Sequence, residues 1–303
     1  MPRYIALKGT FICKGMKMVK VSVLMPVYKT NEKFLREAIE SILGQTFSDF
    51  EFLILDDCPE DDRESIVKSY DDKRIKYIKN EKNLGITPSR NKLIDMADGE
   101  YLAVFDHDDI SLPERFQKQV EFLDNHPEVG VVGCVVKLMS NGKLSRNPVC
   151  SDDIKKSLMT VCAITHPASM VRKSVLDEHN IRYEEKFSPS EDYAIWCRLI
   201  PYTEFHNLED VLFLYRDHEN NTSHNQHQKM SRAAVAIRSF VQAENPALYN
   251  EFLWYAESVN KIMLFGVIPL ITIRKKENKT SVYLFEKLLV FRSKFTRKLQ
   301  IKR

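Results

Sequence analysis

Residues 101–109 read YLAVFDHDD, an apolar run that ends abruptly in three carboxylates and a histidine. Tyr101, Leu102, Ala103, Val104 and Phe105 have the pattern of a buried strand, and Asp106, His107, Asp108 and Asp109 follow at once. Carboxylates at the end of a buried strand repel one another and are costly to desolvate, so they demand a cation. A hard divalent ion such as Mg2+ is commonly held by one or two carboxylates, with phosphate oxygens and water completing its shell. The Asp106-x-Asp108 spacing therefore suggests a metal-bound diphosphate ligand. An acidic helix start is the competing reading, because Ser111-Leu112-Pro113-Glu114 comes next and proline suits a first helical turn.

The surrounding elements say where such a ligand would sit. Residues 19–27 (VKVSVLMPV) form a β-branched apolar run, as expected of a buried strand closed by a turn at Pro26. Phe34, Leu35, Ala38, Ile39, Ile42 and Leu43 recur at helical spacing, with Thr30 or Asn31 as the cap. A second strand is expected over 50–55, running into Asp56 and Asp57, then a polar helix over 60–70 and a third strand over 74–79. Thr87 as N-cap and Pro88 at the first helical position start another helix, and 101–105 is the fourth strand. Strand and helix alternate at βαβ spacing, which predicts an α/β fold with a mostly parallel sheet flanked by helices. Ligands in such sheets bind at the carboxyl ends of the strands. Tyr28, Asp56, Asp57, Asn83 and Asp106 all fall at those ends.

Further along, strands are expected over 129–138, 168–171 and 211–215. Helices are expected over 152–159 and 191–200, the latter with an acidic first turn. From about Gln226 the pattern reads as helical throughout. The chain thus divides into 19–223, with halves 19–109 and 110–223, and a helical C-terminal extension over 224–303.

The 303 residues are 44% hydrophobic and 29% charged, which suits a globular protein of one large or two coupled domains. The six cysteines (Cys13, Cys58, Cys134, Cys150, Cys162 and Cys197) are dispersed, with no Cys-x-x-Cys pair. That spacing opposes a zinc site or disulfide scaffold and suits a reducing cytoplasm. No apolar leader with a cleavage site is expected at the N-terminus, and Met16 or Met18 could be the start. The sequence has neither Gly-x-Gly-x-x-Gly nor Gly-x-x-x-x-Gly-Lys-Ser/Thr, which opposes a dinucleotide oxidoreductase and a P-loop NTPase.

Charge is concentrated at the C-terminus. Residues 274–303 hold eleven Lys or Arg against two Glu, a net of +9, although the whole chain carries only +3. The longest apolar run, 263–273, is far short of the ~20 residues that span a bilayer. Apolar and basic blocks that alternate in this way suit an anionic membrane surface, in preference to nucleic acid, a partner helix or a solvated face. A peripheral position on the inner face of the cell membrane is the expectation.

Five segments taken together resemble family 2 glycosyltransferases with the GT-A fold. They are VSVLMPVYKTNEKFLREAIESILGQTF (21–47), FLILDDCPEDD (52–62), NLGITPSRN (83–91), YLAVFDHDD (101–109) and SEDYAIWCRL (190–199). The resemblance spans about 19–215 and implies inverting transfer of a sugar from a nucleotide diphosphate donor, with Mn2+ or Mg2+ as the metal. It puts Pro26, Val27 and Tyr28 at the base and ribose, and Asp57 on a pyrimidine N–H, which favours a uridine diphosphate sugar. It lines the diphosphate path with Asn83, Gly85 and Arg90, sets Asp106 on the ribose or metal, and makes Asp108 a metal ligand. His107 differs from the small or acidic residue usual at that place and is read as lining the pocket.

Asp192, with Glu191 beside it, matches the catalytic base that takes the acceptor's proton. An ordinary acidic helix start is the competing reading there. Tyr215-Arg216-Asp217-His218 with Asn221 and Ser223 resembles a closing loop, with His218 near the diphosphate or metal. His166 is a weaker candidate near the acceptor. The absence of Gln-x-x-Arg-Trp and of membrane-spanning helices implies addition of one sugar at a time. The expected acceptor is a saccharide or lipid-linked glycan of a lipopolysaccharide or capsule. A polyprenyl phosphate acceptor, or an inactive nucleotide-sugar-binding module, are the alternatives, and the oligomeric state is open.

Overall fold

A computed structural model describes residues 19–218 and 226–257, with the strand segments 259–264, 268–276, 279–284 and 288–294. The expectations for Met16 and Met18, for Asn221 and Ser223, and for the last nine residues of the basic tail lie outside the described residues. The chain forms two compact units, Met1–Ser239 and Phe240–Arg303.

In the first unit, β1 (Val21–Val27), β2 (Phe50–Asp56), β3 (Ile75–Lys79) and β4 (Tyr101–Val104) alternate with α1 (Glu32–Leu43), α2 (Glu64–Lys68) and α3 (Ile86–Met96). The strands β5 (Ile110–Ser111), β6 (Val129–Leu138), β7 (Met170–Arg172) and β8 (Glu204–Tyr215) complete one sheet, in the order β3-β2-β1-β4-β7-β6-β8-β5. The pairs β1–β2, β2–β3, β1–β4 and β6–β8 are parallel, whereas β7 runs antiparallel to both β4 and β6. The chain proceeds outward from β1 to β3 and then returns to the other side of β1 as β4. This reversal is a topological switch point, where the loops after the two strands splay apart and leave a crevice. Tyr28 leaves one side of that crevice and Asp106 the other.

Helices cover the sheet because both of its faces are apolar. Every residue of β1, β2 and β4 is buried, the continuous pattern of a parallel sheet covered on both sides. Leu35, Ala38, Ile39 and Ile42 of α1 are fully buried, and Asn31 caps the helix by accepting from Lys33 N at 2.9 Å. Four local expectations need correction. The polar helix over 60–70 contracts to α2, because the Asp62 carboxylate binds Ser65 N at 3.1 Å and competes with helical pairing upstream. Next, α3 starts at Ile86 with Gly85 rather than Thr87 as its N-cap. Gly85 turns the chain at φ 87°, a region open chiefly to glycine, and Asp57 from another loop holds its N–H. The strand expected over 211–215 extends back to Glu204, since β6 offers it a ten-residue parallel edge.

The last correction concerns the C-terminal extension. Among the described residues of this extension, helices occupy His227–Glu244 and Pro246–Glu257 only. From Val259 to Lys294 the described segments form a four-stranded antiparallel sheet. Runs such as Ile271-Thr272-Ile273 and Val282-Tyr283 are β-branched or aromatic and favour strand over helix. No helix among the described residues is long and apolar enough to cross a membrane.

A buried arginine ties the halves of the first unit together. Arg115, at the start of α4 (Arg115–Asn125), is wholly enclosed. Its Nη2 donates to the carbonyls of Val104 and Ser169, both at 2.9 Å, and its Nε donates to Gln119 at 3.0 Å. Burial lowers its pKa to about 10, so it stays charged at neutral pH. Arg115→Ala removes the side-chain donor to those buried acceptors, and chemical denaturation should show a loss of roughly 3 kcal/mol or more.

Candidate active site

At the rim formed by β1, β2 and β3, one aspartate organises the loop. Asp57 is only 4% exposed. Its Oδ1 accepts from Asn80 Nδ2 and Leu84 N, and its Oδ2 from Gly85 N, all at 2.8 Å. Its own N–H donates to Val27 O at 2.9 Å. With each carboxylate oxygen able to accept two bonds, Oδ2 keeps one position for a further donor. Asn83 is exposed and its Oδ1 also accepts from Gly85 N, at 2.9 Å. Pro26 and Val27 are buried at the end of β1, so they shape the rim through the backbone. Tyr28 is 42% exposed, with Lys29 Nζ 5.3 Å from its ring centroid, and is available for a planar ligand to stack upon.

The crevice between β1 and β4 contains the second group. Arg90 on α3 sends Nη1 to Glu191 Oε1 at 2.7 Å and Nη2 to Asp106 Oδ1 at 3.3 Å. Desolvation alone would lower the Arg90 pKa, but Asp106 and Glu191 outweigh it and raise it. Loss of hydration raises the Asp106 carboxyl, with Arg90 acting against that rise. The two acids that begin the helix α5 (Glu191–Leu199) thereby separate. Glu191 is 3% exposed and locked to Arg90, whereas Asp192 is partly exposed and accepts from Tyr193 N at 2.7 Å. Desolvation, with the Glu191 charge adding to it and Arg90 opposing it, pushes Asp192 up to about 6. A carboxylate tuned to that range can hold a proton transiently near neutral pH.

The third group lies where β4 ends and β8 ends. Asp108 Oδ2 is 2.8 Å from His218 Nε2. Two donors on adjacent vertices of one octahedral ion, each at 2.0–2.1 Å, would stand about 3 Å apart. No cluster of three His, Cys, Asp or Glu among the described residues surrounds a common point. Asp108 and His218 thus form one facing pair of metal-capable side chains at this end of the sheet. Asp109 is buried instead, its carboxyl raised well above the usual range by burial and then by Asp108 and Asp106. Buried His107 Nδ1 has no hydrogen-bond partner.

The fold therefore gathers Tyr28, Asp57, Asn83, Gly85, Arg90, Asp106, Asp108, Glu191, Asp192 and His218 along one rim of the sheet. His166 is not at the surface of that rim. It is buried, its Nε2 2.8 Å from the Tyr183 hydroxyl, and burial lowers its pKa well below the usual value. Asn80, Tyr183 and Glu37 escaped the sequence reading. Asn80 holds Asp57 and is itself held by Lys92 at 2.6 Å, while the Tyr183 ring lies 5.7 Å from the Arg90 guanidinium carbon. Only tertiary contact distinguishes these residues from ordinary surface positions.

The fold, with its crevice at the carboxyl ends of β1 and β4, is of the GT-A type found in glycosyltransferases. Residues 22–179 match the family described as Glycosyl transferase family 2. An uncharacterized glycosyltransferase of Methanocaldococcus jannaschii is 38% identical over 221 residues, covering 69% of this chain and 76% of the relative. The chain belongs to glycosyl transferase family 2 and is a glycosyltransferase. Among solved structures, S. aureus TarS residues 1–349 in complex with UDP-GlcNAc superposes with a TM-score of 0.62 at 21% identity, over 77% of this chain and 71% of that one. A mannosyltransferase from Pyrobaculum calidifontis, in complex with GDP-Man and Mn2+, gives a TM-score of 0.57 at 14% identity, over 79% and 75%. Both share the GT-A-type architecture.

Removing the Asp57 carboxylate leaves Leu84 N and Asn80 Nδ2 without this acceptor, and Gly85 N with Asn83 Oδ1 in its place. Asp57→Ala should cost about 2–3 kcal/mol in denaturant unfolding and weaken nucleotide binding measured by calorimetry.

Proposed function

We propose that this enzyme moves one sugar at a time, with inversion, from a uridine diphosphate sugar to a saccharide or lipid-linked acceptor in cell-surface glycan synthesis. Asp192 carries this reading, as the partly exposed carboxylate whose pKa of about 6 suits a general base. It would take the proton of the acceptor hydroxyl as that oxygen attacks the anomeric carbon, while the nucleoside diphosphate departs from the opposite face. Glu191 and Arg90 would hold Asp192 on its helix and set its basicity. Tyr28 and the last acceptor position of Asp57 would engage the base, with Asn83 and Gly85 beside it. Asp106 would face the ribose and metal.

Asp108 and His218 would hold Mn2+ or Mg2+, which when bound neutralises the charge gained by the leaving diphosphate. The Mn2+ and GDP-Man of the P. calidifontis enzyme, and the UDP-GlcNAc of TarS, support a donor of this class. The net +9 of residues 274–303 supports attachment to an anionic membrane surface on the cytoplasmic side.

Thermal melting with nucleotide diphosphates and their sugars, with and without Mn2+, tests the donor. A Mn2+-dependent rise with a UDP-sugar is expected, and a rise with guanosine sugars alone would overturn the uridine assignment. Asp108→Ala should abolish the Mn2+-dependent part of that binding. Asp192→Asn should keep donor binding and lower transfer by roughly a hundredfold or more; near-normal turnover would remove Asp192 from the role of base.

The carboxylate is the working form of Asp192, so transfer should be full above its pKa and fall as the pH drops through about 6. In Arg90→Gln the opposing cation is gone, and the half-point should move to higher pH. A pH–rate profile with unchanged half-point would refute the coupling.

A further inference from the structure

Arg216, just past β8, is held at four points at least. Its N–H donates to Asp109 Oδ1 at 2.8 Å, its Nε to the Asp108 carbonyl at 2.7 Å, and its Nη2 to Glu37 Oε2 at 2.5 Å. Its guanidinium carbon lies 4.3 Å from the Phe34 ring centroid. Two residues on, His218 meets Asp108 and sets its ring 5.5 Å from the same Phe34. Phe34 and Glu37 are three residues apart on α1 and so share one helical face. The other ion pair of Glu37 is a long one, 3.9 Å to Lys33, whose side chain is 76% exposed, and contributes little. The Arg216–Glu37 pair is better enclosed, at 13% and 33% exposure.

We infer that Glu37 and Phe34 of α1 form a latch for Arg216, and that the latched Arg216 positions the Asp108–His218 pair. A guanidinium is a rigid fork. Fixing its far end on Glu37 and its face on Phe34 fixes where Nε points, and Nε holds the backbone of Asp108. The same anchored backbone then delivers His218 to the Asp108 carboxylate. Glu37, Phe34 and Arg216 are positioning residues that act through Asp108 and His218 and touch no substrate themselves. Partners of this kind around metal-binding side chains commonly change metal affinity by 10–100-fold. The consequence for donor binding rests on the reading of Asp108 and His218 given above. It predicts a selective effect: the latch matters for binding at the diphosphate end and not for recognition of the nucleoside.

The test compares full-length wild type with Glu37→Gln, Phe34→Leu and Arg216→Lys, using Glu32→Gln on another face of α1 as control. Two readouts are taken. Selective 15N-histidine NMR follows the His218 ring, assigned through His218→Gln. Calorimetry follows UDP with Mn2+, and UMP without metal. The latch requires the His218 resonance to move in all three variants and not in the control, and UDP–Mn2+ affinity to fall by about tenfold or more with UMP affinity unchanged. A His218 resonance that stays in place in Glu37→Gln and Phe34→Leu overturns the latch. Equal losses for UDP and UMP also overturn it, as they would show a general loosening of the rim. If the resonance moves but wild type binds UDP without any dependence on Mn2+, the latch stands and the metal–diphosphate role of Asp108 and His218 fails.

Discussion

The site depends on a cation, Arg90, held between acids. Asp106, Asp108, Asp109, Glu191 and Asp192 converge on one crevice, and such a gathering is self-repulsive in a medium poorer than water. Arg90 lies between Asp106 and Glu191 and bonds both. Through it the strand β4, which contributes the acid cluster, and the helix α5, which contributes the candidate base, share one electrostatic centre. The arginine does this from α3, whose first turn is itself set by the Asp57 carboxylate. Positions far apart in the chain are thereby made to depend on one another.

That arrangement gives neighbouring acids different tasks. Glu191 and Asp192 are adjacent in sequence, yet one is neutralised by Arg90 and buried while the other is left partly exposed with a raised pKa. Likewise Asp108 faces His218, whereas Asp109 is turned inward onto the backbone of Arg216. A helix start and a strand end each put successive side chains in different directions, so chemistry divides residue by residue without any change in composition. The antiparallel β7, inserted between β4 and β6, brings the second half of the sheet up to this crevice.

Much of this was legible in the sequence. The alternating apolar runs located β1 to β4 and α1, since burial on both faces of a parallel sheet leaves a continuous signal. The Asp-x-Asp spacing and the acid pair at 191–192 fall together in the fold, where Arg90 bonds both Asp106 and Glu191. Less legible were short or irregular elements. The brief α2, the earlier start of α3 and the long β8 were set by aspartate side chains and by a neighbouring strand edge. The four-stranded sheet over 259–294 was read as helix, because apolar spacing in short runs fits either period and the β-branched composition there is the better guide.

The sequence by itself determined the fold class, the family and the list of acids, for these follow from local pattern and from residue types that have few alternative uses. It could not say which acid is paired and which is exposed. Those roles are matters of distance: 2.7 Å from Arg90 to Glu191, 2.8 Å from Asp108 to His218, 2.5 Å from Arg216 to Glu37. Each joins segments about a hundred residues apart or more, and only the closed fold brings them within reach. Pairing at those distances sorts the acids into paired and exposed, which is why the tertiary structure, and not the motif, sets the surroundings of each one.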